Sequence, residues 1–374
     1  MHMSEVFRGR VVTADTTIDH AEFRIEDGII TEITPLADSP KNGSTFIPGF
    51  IDIHNHGGMG GAFPTGNAAE CIAAAQFHRD HGTTTLLASL VSASEAEITK
   101  QLATLVPLVS QGHIFGIHLE GPFVNACRCG AQDPSRIVPG DPDMFSRLLA
   151  CGGGAIKSMT FAPETPYAQE LVSLCATNNV IVSLGHTDAS YEETMQLIDC
   201  AVDAGATVTA THLFNAMPPI HHRKPGAAGA FIAAAGANKA FVELVADGVH
   251  LHDGTVDMIA RNTNHAAVAV TDAMEAAGMP DGNYLLGSLK VEVKDKIARI
   301  ENGAIAGGTS TLYDQFRRAA SRLGMNEAVR LTSTNAARVL GIPAGDIAVG
   351  KLGHIVELDS HNQLVRTICP PSTN

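Results

Sequence analysis

The chain has 374 residues, of which 45% are hydrophobic and 17% are charged, and its formal net charge is -14 at pH 7. A chain of this length and composition can bury a large core, which excludes a disordered protein. The acidic balance argues against nucleic acid and anionic membranes as partners, because both require a basic surface.

The first predicted elements are short β-strands within residues 6–34, with a hairpin turn at Glu26-Asp27-Gly28. The last part of the chain, residues 345–368, has the same β-rich character. The two ends together predict a small β-sandwich domain built from residues 1–47 and 341–374.

Strand-like and helix-like segments alternate between these ends, which is typical of a parallel sheet with crossover helices. Strands are predicted near residues 47–54, 83–90, 113–119, 156–162, 179–184, 206–211, 241–246 and 266–271. Helices are predicted near residues 67–80, 93–106, 141–150, 166–178, 190–204, 253–263, 309–323 and 326–340. Residues 273–305 break this pattern and are expected to form an insertion over the active-site face. The fold class is therefore predicted as α/β, a TIM-like (β/α)8 barrel over residues 48–340.

Polar residues that can bind metals follow several of the predicted barrel strands, at the points where these strands end. The carboxyl ends of all barrel strands converge on one face, where the chemistry of such barrels takes place. Imidazoles and carboxylates suit zinc or a similar divalent ion, with water as a remaining ligand. The residues expected to meet on this face are His54, His56, Glu120, His186, His212 and Asp272.

These residues also have ordinary structural interpretations, and His186 and His212, each taken alone, could be core histidines. A His-x-His pair such as His54 and His56 is often found in loops and cores, although two such side chains on an extended segment point to the same side. Glu120 could be a helix-capping or ion-paired acid, and Asp272 could be a helix N-cap. A lone acid opposite a metal site favours a general acid/base instead. His118 is expected to lie deeper, in the barrel interior; the alternative is that it supports the metal ligands or contacts the substrate.

A cationic stretch, His-His-Arg-Lys at residues 221–224, follows the sixth predicted strand of this acidic chain. It is either a solvated loop or an anion site in which Arg223 holds a phosphate through its planar guanidinium. His250, after the seventh predicted strand, is a further candidate donor.

The seven cysteines are odd in number and irregularly spaced, which predicts reduced thiols and a cytoplasmic location. No apolar run reaches the length of about 18 residues that a membrane span needs, so neither a span nor a signal peptide is expected.

The segments PGFIDIHNHG, HLEGPF, GHTDAS, THLFNAM and TDAM, in this order, resemble the amidohydrolase superfamily. Within it they are similar to the family of N-acetylglucosamine-6-phosphate deacetylases, and the similarity covers nearly the whole chain. The resemblance implies hydrolysis of N-acetyl-D-glucosamine 6-phosphate to D-glucosamine 6-phosphate and acetate, in amino-sugar metabolism. It also implies a homodimer.

The resemblance further implies two divalent ions per chain, zinc or similar, of which one is essential. Glu120, His186 and His212 match the family positions that hold one ion. His54 and His56 match the positions that hold the second, with Glu120 shared between the two.

The remaining matched positions concern proton transfer and the substrate. Asp272 matches the family's general acid/base, and the substrate-binding positions match Asn215, Ala216, Arg223 and His250. Arg223 serves either its own site or that of the neighbouring subunit.

One loop departs from the family pattern. The family often has Lys-Gly-Ala-His where this chain has Cys129-Gly130-Ala131-Gln132, which leaves the substrate contacts of that loop open. Two rival functions are another metal-dependent amidohydrolase, dihydroorotase-like or a deaminase, and a non-enzymatic interaction protein on the same scaffold. The first rival needs no phosphate clamp, and the second is expected to lose metal ligands.

Overall fold

A computed structural model of the chain describes residues 4–37 and 43–370. The ends of the predicted terminal domain, at residues 1–3 and 371–374, and its residues 38–42 lie outside the described residues. The strands within the described part are β1 (Ser4–Val12), β2 (Thr17–Glu26), β3 (Ile29–Pro35), β4 (Thr45–Pro48), β5 (Phe50–Asn55), β6 (Gly57–Gly58), β7 (Gly61–Ala62), β8 (Thr83–Leu90), β9 (Gly116–Glu120), β10 (Ile156–Phe161), β11 (Ile181–Leu184), β12 (Val208–Ala210), β13 (Phe241–Leu244), β14 (Ala267–Ala269), β15 (Gly282–Leu286), β16 (Leu289–Lys294), β17 (Ile297–Arg299), β18 (Ile355–Leu358) and β19 (Leu364–Ile368).

The α-helices of the same part are α1 (Ala68–Asp80), α2 (Glu95–Ser110), α3 (Pro142–Gly152), α4 (Ala168–Thr177), α5 (Tyr191–Asp203), α6 (Gly226–Gly236), α7 (Asp253–Asn262), α8 (Leu312–Leu323), α9 (Met325–Val329) and α10 (Asn335–Leu340). A π-helical turn at Arg330–Thr334 joins the last two helices. Short 3-10 turns lie at Ala126–Arg128 and Pro134–Arg136.

Eight strands form one sheet in the order β14-β13-β12-β11-β10-β9-β8-β5, and they are the eight strands that the sequence predicts. The edge strands meet just beyond their ends, where Asn55 and Ala273 form a parallel bridge. The N–H of Asp272 donates to the carbonyl of His54 at 2.9 Å, and the N–H of His56 donates to the carbonyl of Ala273 at 2.7 Å. The nearly closed barrel confirms the predicted fold, and its closure brings Asp272 against the His-x-His segment.

Several crossover helices begin where their sequences carry a capping box, in which a serine and a glutamate three residues later satisfy each other's backbone N–H groups. Ser94 with Glu97 starts α2 in this way, and Ser190 with Glu193 starts α5. Each N-cap contributes about 1 kcal/mol to helix stability. These local signals explain why most helices lie where the sequence predicts them.

Helix α6 was not predicted, although it joins the sixth and seventh barrel strands. Its sequence, GAAGAFIAAAG, contains only glycine, alanine and two larger apolar residues. Ala227, Ala230, Phe231 and Ala234 are fully buried. A helix that is apolar on every side has no amphipathic period, so pattern reasoning does not find it.

The region that breaks the α/β alternation contains a three-stranded antiparallel sheet of β15, β16 and β17. This small sheet has its own apolar core of Met274, Ala276, Leu286, Val291, Val293, Ala298 and Ala306. The predicted insertion is therefore a folded subdomain, not an open loop.

The terminal strands form a six-stranded sheet in the order β19-β18-β4-β1-β2-β3, so both ends of the chain contribute to it, as predicted. The β2–β3 hairpin turns at Asp27 and Gly28, whose φ angles of 48° and 83° fit a tight hairpin turn. The rings of Phe7, Phe23 and Phe46 pack together in its core, with ring centroids 5.1 to 5.7 Å apart.

Contacts along the chain define two compact units. One comprises residues 1–52, 78–85 and 311–374, and the other comprises residues 53–77 and 86–310. This grouping assigns residues 311–340 to the same unit as the terminal strands, whereas the sequence places them in the barrel domain. The domain boundaries at 47/48 and 340/341 stay a prediction.

Candidate active site

The six polar residues predicted to converge do converge, at the carboxyl ends of the barrel strands. His54 belongs to β5 and Glu120 to β9, whereas His186, His212 and Asp272 follow β11, β12 and β14. The last three have positive φ angles of 47°, 27° and 47°, a conformation that costs non-glycine residues energy and that clusters at functional sites. The turn after each of these strands therefore sets the direction of a site residue.

Glu120, His186 and His212 form the first ligand group. Oε1 of Glu120 lies 2.9 Å from Nε2 of His186 and 2.8 Å from Nε2 of His212. The two imidazole nitrogens are 3.1 Å apart. Two nitrogens on one tetrahedral zinc ion lie roughly 3.3 Å apart, because each Zn–N bond is about 2.0–2.1 Å long. The spacing of this group thus fits a single ion.

His54 and His56 form the second group with the same glutamate. Their Nε2 atoms are 3.1 Å apart. Glu120 Oε2 lies 3.3 Å from Nε2 of His56, and Glu120 Oε1 lies 3.6 Å from Nε2 of His54. Asp272 Oδ1 approaches the same nitrogens, at 3.2 Å from His56 and 3.5 Å from His54. Both groups have the geometry of a metal site, and Glu120 is common to them.

The tautomers of three of these imidazoles are fixed by acceptors behind the rings. The Nδ1 contacts are His54 with Glu243 Oε2 (3.1 Å), His56 with the carbonyl of Ser89 (3.2 Å) and His186 with the carbonyl of Arg128 (2.9 Å). Carbonyl oxygens only accept hydrogen bonds, and so do ionised carboxylates, so Nδ1 carries the hydrogen and Nε2 presents a lone pair. Lone pairs that face each other at about 3 Å call for a cation between them, so the side chains fit a divalent ion.

The electrostatics of the site lead to the same conclusion. Burial opposes ionisation of Glu120 and Asp272, but the nearby imidazoles, His54 first, outweigh it and hold the pKa of both carboxyls below the ordinary range. Burial likewise opposes protonation of His54 and His56, yet Glu120 and Asp272 raise the pKa of both imidazoles. Buried carboxylates need positive charge next to them, and a divalent ion provides it while leaving the imidazoles neutral.

His118 lies in the barrel interior, as expected, and both of its ring nitrogens are bonded to hydroxyl groups. Ser89 Oγ lies 2.9 Å from Nδ1, and Thr160 Oγ1 lies 2.8 Å from Nε2. Burial and the neighbouring His54 hold the pKa of His118 well below its ordinary value. His118 is therefore a neutral structural imidazole without a free nitrogen for a metal.

A cavity of about 200 Å³ opens over the two ligand groups. His56, Glu120, His186, His212 and Asp272 line it together with the predicted substrate residues Asn215, Ala216 and His250, and with Gln132, Leu286 and residues 304–307. The insertion thus contributes to the wall of the site.

Arg223 is not among the residues that line this cavity. It is exposed, and its Nη1 lies 2.7 Å from Nε2 of His222. Within the described residues, the cavity lining contains no lysine or arginine. The structure of a single chain therefore does not bring Arg223 to the site with the other predicted residues.

Two acids that support site histidines were missed by the sequence analysis. Glu243 contacts His54 from the middle of β13, and Asp247 Oδ2 lies 2.8 Å from Nδ1 of His250. Asp247 raises the pKa of His250 against the opposing effect of burial. The sequence does contain a pattern that could have indicated them: one acid lies inside the apolar run FVELVA and the other directly follows it. A charged residue in a barrel strand requires a partner.

The loop after Glu120 also has a role that the sequence did not show. Arg128 forms an ion pair with Asp188 at 2.6 Å, and this holds the backbone carbonyl that orients His186. In the same loop, Gln132 Oε1 accepts from the N–H of Ser92 at 2.9 Å, and Gln132 Nε2 lies 3.4 Å from Nε2 of His186. Arg128 therefore orients His186 through its backbone carbonyl.

The chain is similar to several known proteins. N-acetylglucosamine-6-phosphate deacetylase of Bacillus subtilis is 33% identical over 96% of this chain and 94% of that protein. N-acetylgalactosamine-6-phosphate deacetylase of Escherichia coli is 30% identical over 96% of each chain. A solved mutant of N-acetyl-D-glucosamine-6-phosphate deacetylase from Mycobacterium smegmatis, in complex with N-acetyl-D-glucosamine-6-phosphate, is 35% identical, with a TM-score of 0.91 over 99% of this chain and 98% of that one. Residues 45–371 match the sequence model of the amidohydrolase family. The chain belongs to the amidohydrolase family.

Proposed function

We propose that the chain is a metal-dependent deacetylase that hydrolyses N-acetyl-D-glucosamine 6-phosphate to D-glucosamine 6-phosphate and acetate. The observation that carries this proposal is the pair of ligand groups sharing Glu120, with Asp272 beside them at one cavity. The relatives from Bacillus subtilis and Mycobacterium smegmatis are named for this substrate. The activity belongs to amino-sugar metabolism.

The proposed cofactor is a pair of zinc or similar divalent ions. Glu120, His186 and His212 hold the essential ion, and His54 and His56 hold the second with Glu120 shared. An ion in such a site polarises the carbonyl group under attack and lowers the pKa of the attacking water. The fixed Nδ1–H tautomers of His54, His56 and His186 keep the Nε2 lone pairs directed at the site.

Asp272 is the proposed proton carrier. Its pKa is held below the ordinary range, so the carboxylate is ionised and can accept a proton from the attacking water. As the carbonyl–nitrogen bond of the acetamide breaks, Asp272 passes this proton to the departing amine. The side chain of Asp272 is 14% exposed against 5% for Glu120, which leaves it accessible from the cavity.

The phosphate of the substrate carries negative charge, and among the described residues that line the cavity His250 is the one basic side chain that is not a proposed metal ligand. We therefore assign Arg223 to the site of the neighbouring subunit in a homodimer, with His250 binding the phosphate from the subunit that holds the metals. Asn215 and Ala216 complete the substrate contacts at the cavity wall. The cytoplasmic location stays a prediction; no helix of the described residues is long and apolar enough to cross a membrane.

The test of this function is acetate release from four compounds at matched concentrations: the 6-phosphates of N-acetylglucosamine and N-acetylgalactosamine, and the two unphosphorylated sugars. We expect N-acetylglucosamine 6-phosphate to be turned over with the highest kcat/KM. A preference for the galactosamine epimer would correct the substrate. Equal rates with and without the phosphate, or no acetate release from any of the four compounds, would favour the rival amidohydrolase function.

Arg223→Ala should lower kcat/KM for the phosphorylated sugar by at least about tenfold, because a charge-assisted bond contributes roughly 1.5–3 kcal/mol and about 1.4 kcal/mol is a factor of ten. The slow reaction of the unphosphorylated sugar should change little. Arg147→Ala, which removes an exposed arginine paired with Glu95, is the matched control. Equal losses on both sugars would assign Arg223 a structural role.

In the Asp247→Asn variant, binding of the phosphorylated sugar should begin to weaken at a lower pH than in the wild-type protein. Asp247 raises the pKa of His250, so His250 stays protonated to higher pH in the native protein and loses its charge only as pH rises through that raised value. Asparagine still accepts from the N–H groups of Val249 and His250, which preserves the turn. The KM measured against pH should begin its rise at lower pH in the variant. Superimposable profiles would exclude His250 as the titrating phosphate ligand.

A further inference from the structure

The carboxylate of Glu243 lies inside the barrel, directly behind the two ligand groups. Glu243 is only 2% exposed and occupies the middle of β13. Its side chain lies on the Nδ1 side of His54, away from the Nε2 atoms that face the proposed ions. A buried carboxylate is costly unless every oxygen is bonded, so its contacts show what it is for.

One oxygen of Glu243 connects both ligand groups. Oε2 accepts from Nδ1–H of His54 at 3.1 Å and from the backbone N–H of His212 at 3.2 Å. His54 belongs to the second group and His212 to the first. This single oxygen therefore orients a ring in one group and the backbone of a ligand in the other.

The other oxygen is held by hydroxyl groups of the neighbouring strands. Oε1 lies 3.0 Å from Thr209 Oγ1 and 3.4 Å from Ser183 Oγ. These two hydroxyls are 2.8 Å apart, so one donates to the carboxylate and the other to its neighbour. Ser183 Oγ is also 2.6 Å from Thr211 Oγ1, which is 3.0 Å from Thr160 Oγ1. Hydroxyl chains of this kind can only end on an acceptor, and the carboxylate is that acceptor. Both oxygens of Glu243 are thus engaged by donors of the protein itself, on the side of His54 away from the cavity.

We propose that Glu243 is a positioning residue of the metal centre, which fixes the His54 tautomer, strengthens His54 as a ligand and sets its distance from His212. The proposal rests on the proposed metal site. Outer carboxylates that accept from the far nitrogen of a ligand histidine raise the basicity of that ligand, and their loss typically lowers metal affinity about 10- to 100-fold.

Glu243→Gln tests the charge with little change of shape. The amide oxygen can still accept from His54 and His212, and the amide nitrogen can donate to Thr209 and Ser183 after their hydroxyls rotate. We expect the dissociation constant of the more weakly bound zinc ion, measured by competition with a chelator, to rise about 10- to 100-fold. Saturating zinc should restore kcat, which a variant with a collapsed site would not allow.

Glu357→Gln is the matched control, since Glu357 is also a buried mid-strand glutamate with both oxygens bonded. It accepts from Ser44 Oγ at 2.7 Å and from Arg366 Nε at 2.7 Å, in the terminal sheet. This control should lose stability without losing metal affinity. If Glu243→Gln does not fold, Glu243→Asp retains the charge but withdraws it from His54, and it should also weaken zinc binding.

The same zinc titration distinguishes a failure of the proposed function from a failure of the role of Glu243. Wild-type protein that binds no zinc or related divalent ion would remove the proposed function and the role of Glu243 together. Wild-type protein that binds two ions, with either Glu243 variant binding them equally tightly, would overturn only the role of Glu243. Equal weakening in Glu357→Gln would show a general stability effect and would overturn it as well.

Discussion

Asp272→Asn is expected to lower kcat by roughly 100- to 10,000-fold, the usual contribution of general acid–base catalysis, while metal content and fold are retained. The amide keeps an oxygen near His54 and His56, and the backbone N–H of residue 272 still donates to the carbonyl of His54. The amide cannot take up a proton from water at neutral pH. The loss should therefore appear in kcat, with a similar loss in kcat/KM, because the proton is transferred only in the transition state.

The measurement combines steady-state kinetics with metal analysis of the same samples. Asp199→Asn, which alters an exposed aspartate paired with Lys239, provides the control for an Asp-to-Asn change away from the cavity. If kcat of Asp272→Asn stayed within a few-fold of wild type at equal metal content, Asp272 would not be the proton carrier. A fall in activity that merely followed lost zinc would identify it as a metal ligand instead.

Much of the fold could be predicted because local sequence and tertiary structure agree. The barrel strands are rich in β-branched and apolar residues, and capping boxes such as Ser94 with Glu97 mark helix starts. Helix α6 escaped because its Ala/Gly sequence has no polar face, and burial alone decides its structure. Periodicity is read from polar residues on the solvated face, so it fails in α6, where the exposed positions are Ala233 and Gly236.

The convergence of the proposed metal ligands could be predicted for a topological reason. In a parallel barrel every strand ends on the same face, so a histidine just after β11 and one just after β12 must be neighbours whatever their separation in sequence. Glu243 could not be placed in this way. Its partners are His54 on β5 and His212 in the turn after β12, and only the strand order and register of the barrel bring them to its carboxylate.

For Arg223, by contrast, nearness to a site residue in the sequence did not predict nearness to the site in the structure. It follows the strand that positions His212, and closeness in sequence suggested closeness in space. The structure instead leaves it on the surface beside His222. A residue that completes the site of another subunit carries no signal of that fact in its own chain, so the proposed role of Arg223 depends on the assembly.

Removal of the bound metal is expected to abolish turnover, and zinc should restore it. Without an ion, the Nε2 lone pairs of His54 and His56 face each other at 3.1 Å beside two buried carboxylates. Among the described residues that line the cavity, only a protonated imidazole could supply the missing positive charge. Activation of water by an ion accounts for several kcal/mol of transition-state stabilisation, so the residual rate should be negligible.

Metal affinity should also depend on pH in a defined direction. A histidine binds a metal only when its nitrogen is unprotonated, and Glu120 and Asp272 raise the pKa of His54 and His56 in the metal-free protein. Protons therefore compete with zinc up to a higher pH than they would at ordinary imidazoles, and a chelator should strip the enzyme more readily as pH falls.

The bound ion should stabilise the fold by about 2.7 kcal/mol when its free concentration is about 100 times the dissociation constant. Thermal unfolding with and without zinc measures this, and full activity in verified metal-free protein, or unfolding that zinc does not alter, would contradict the metal centre as proposed.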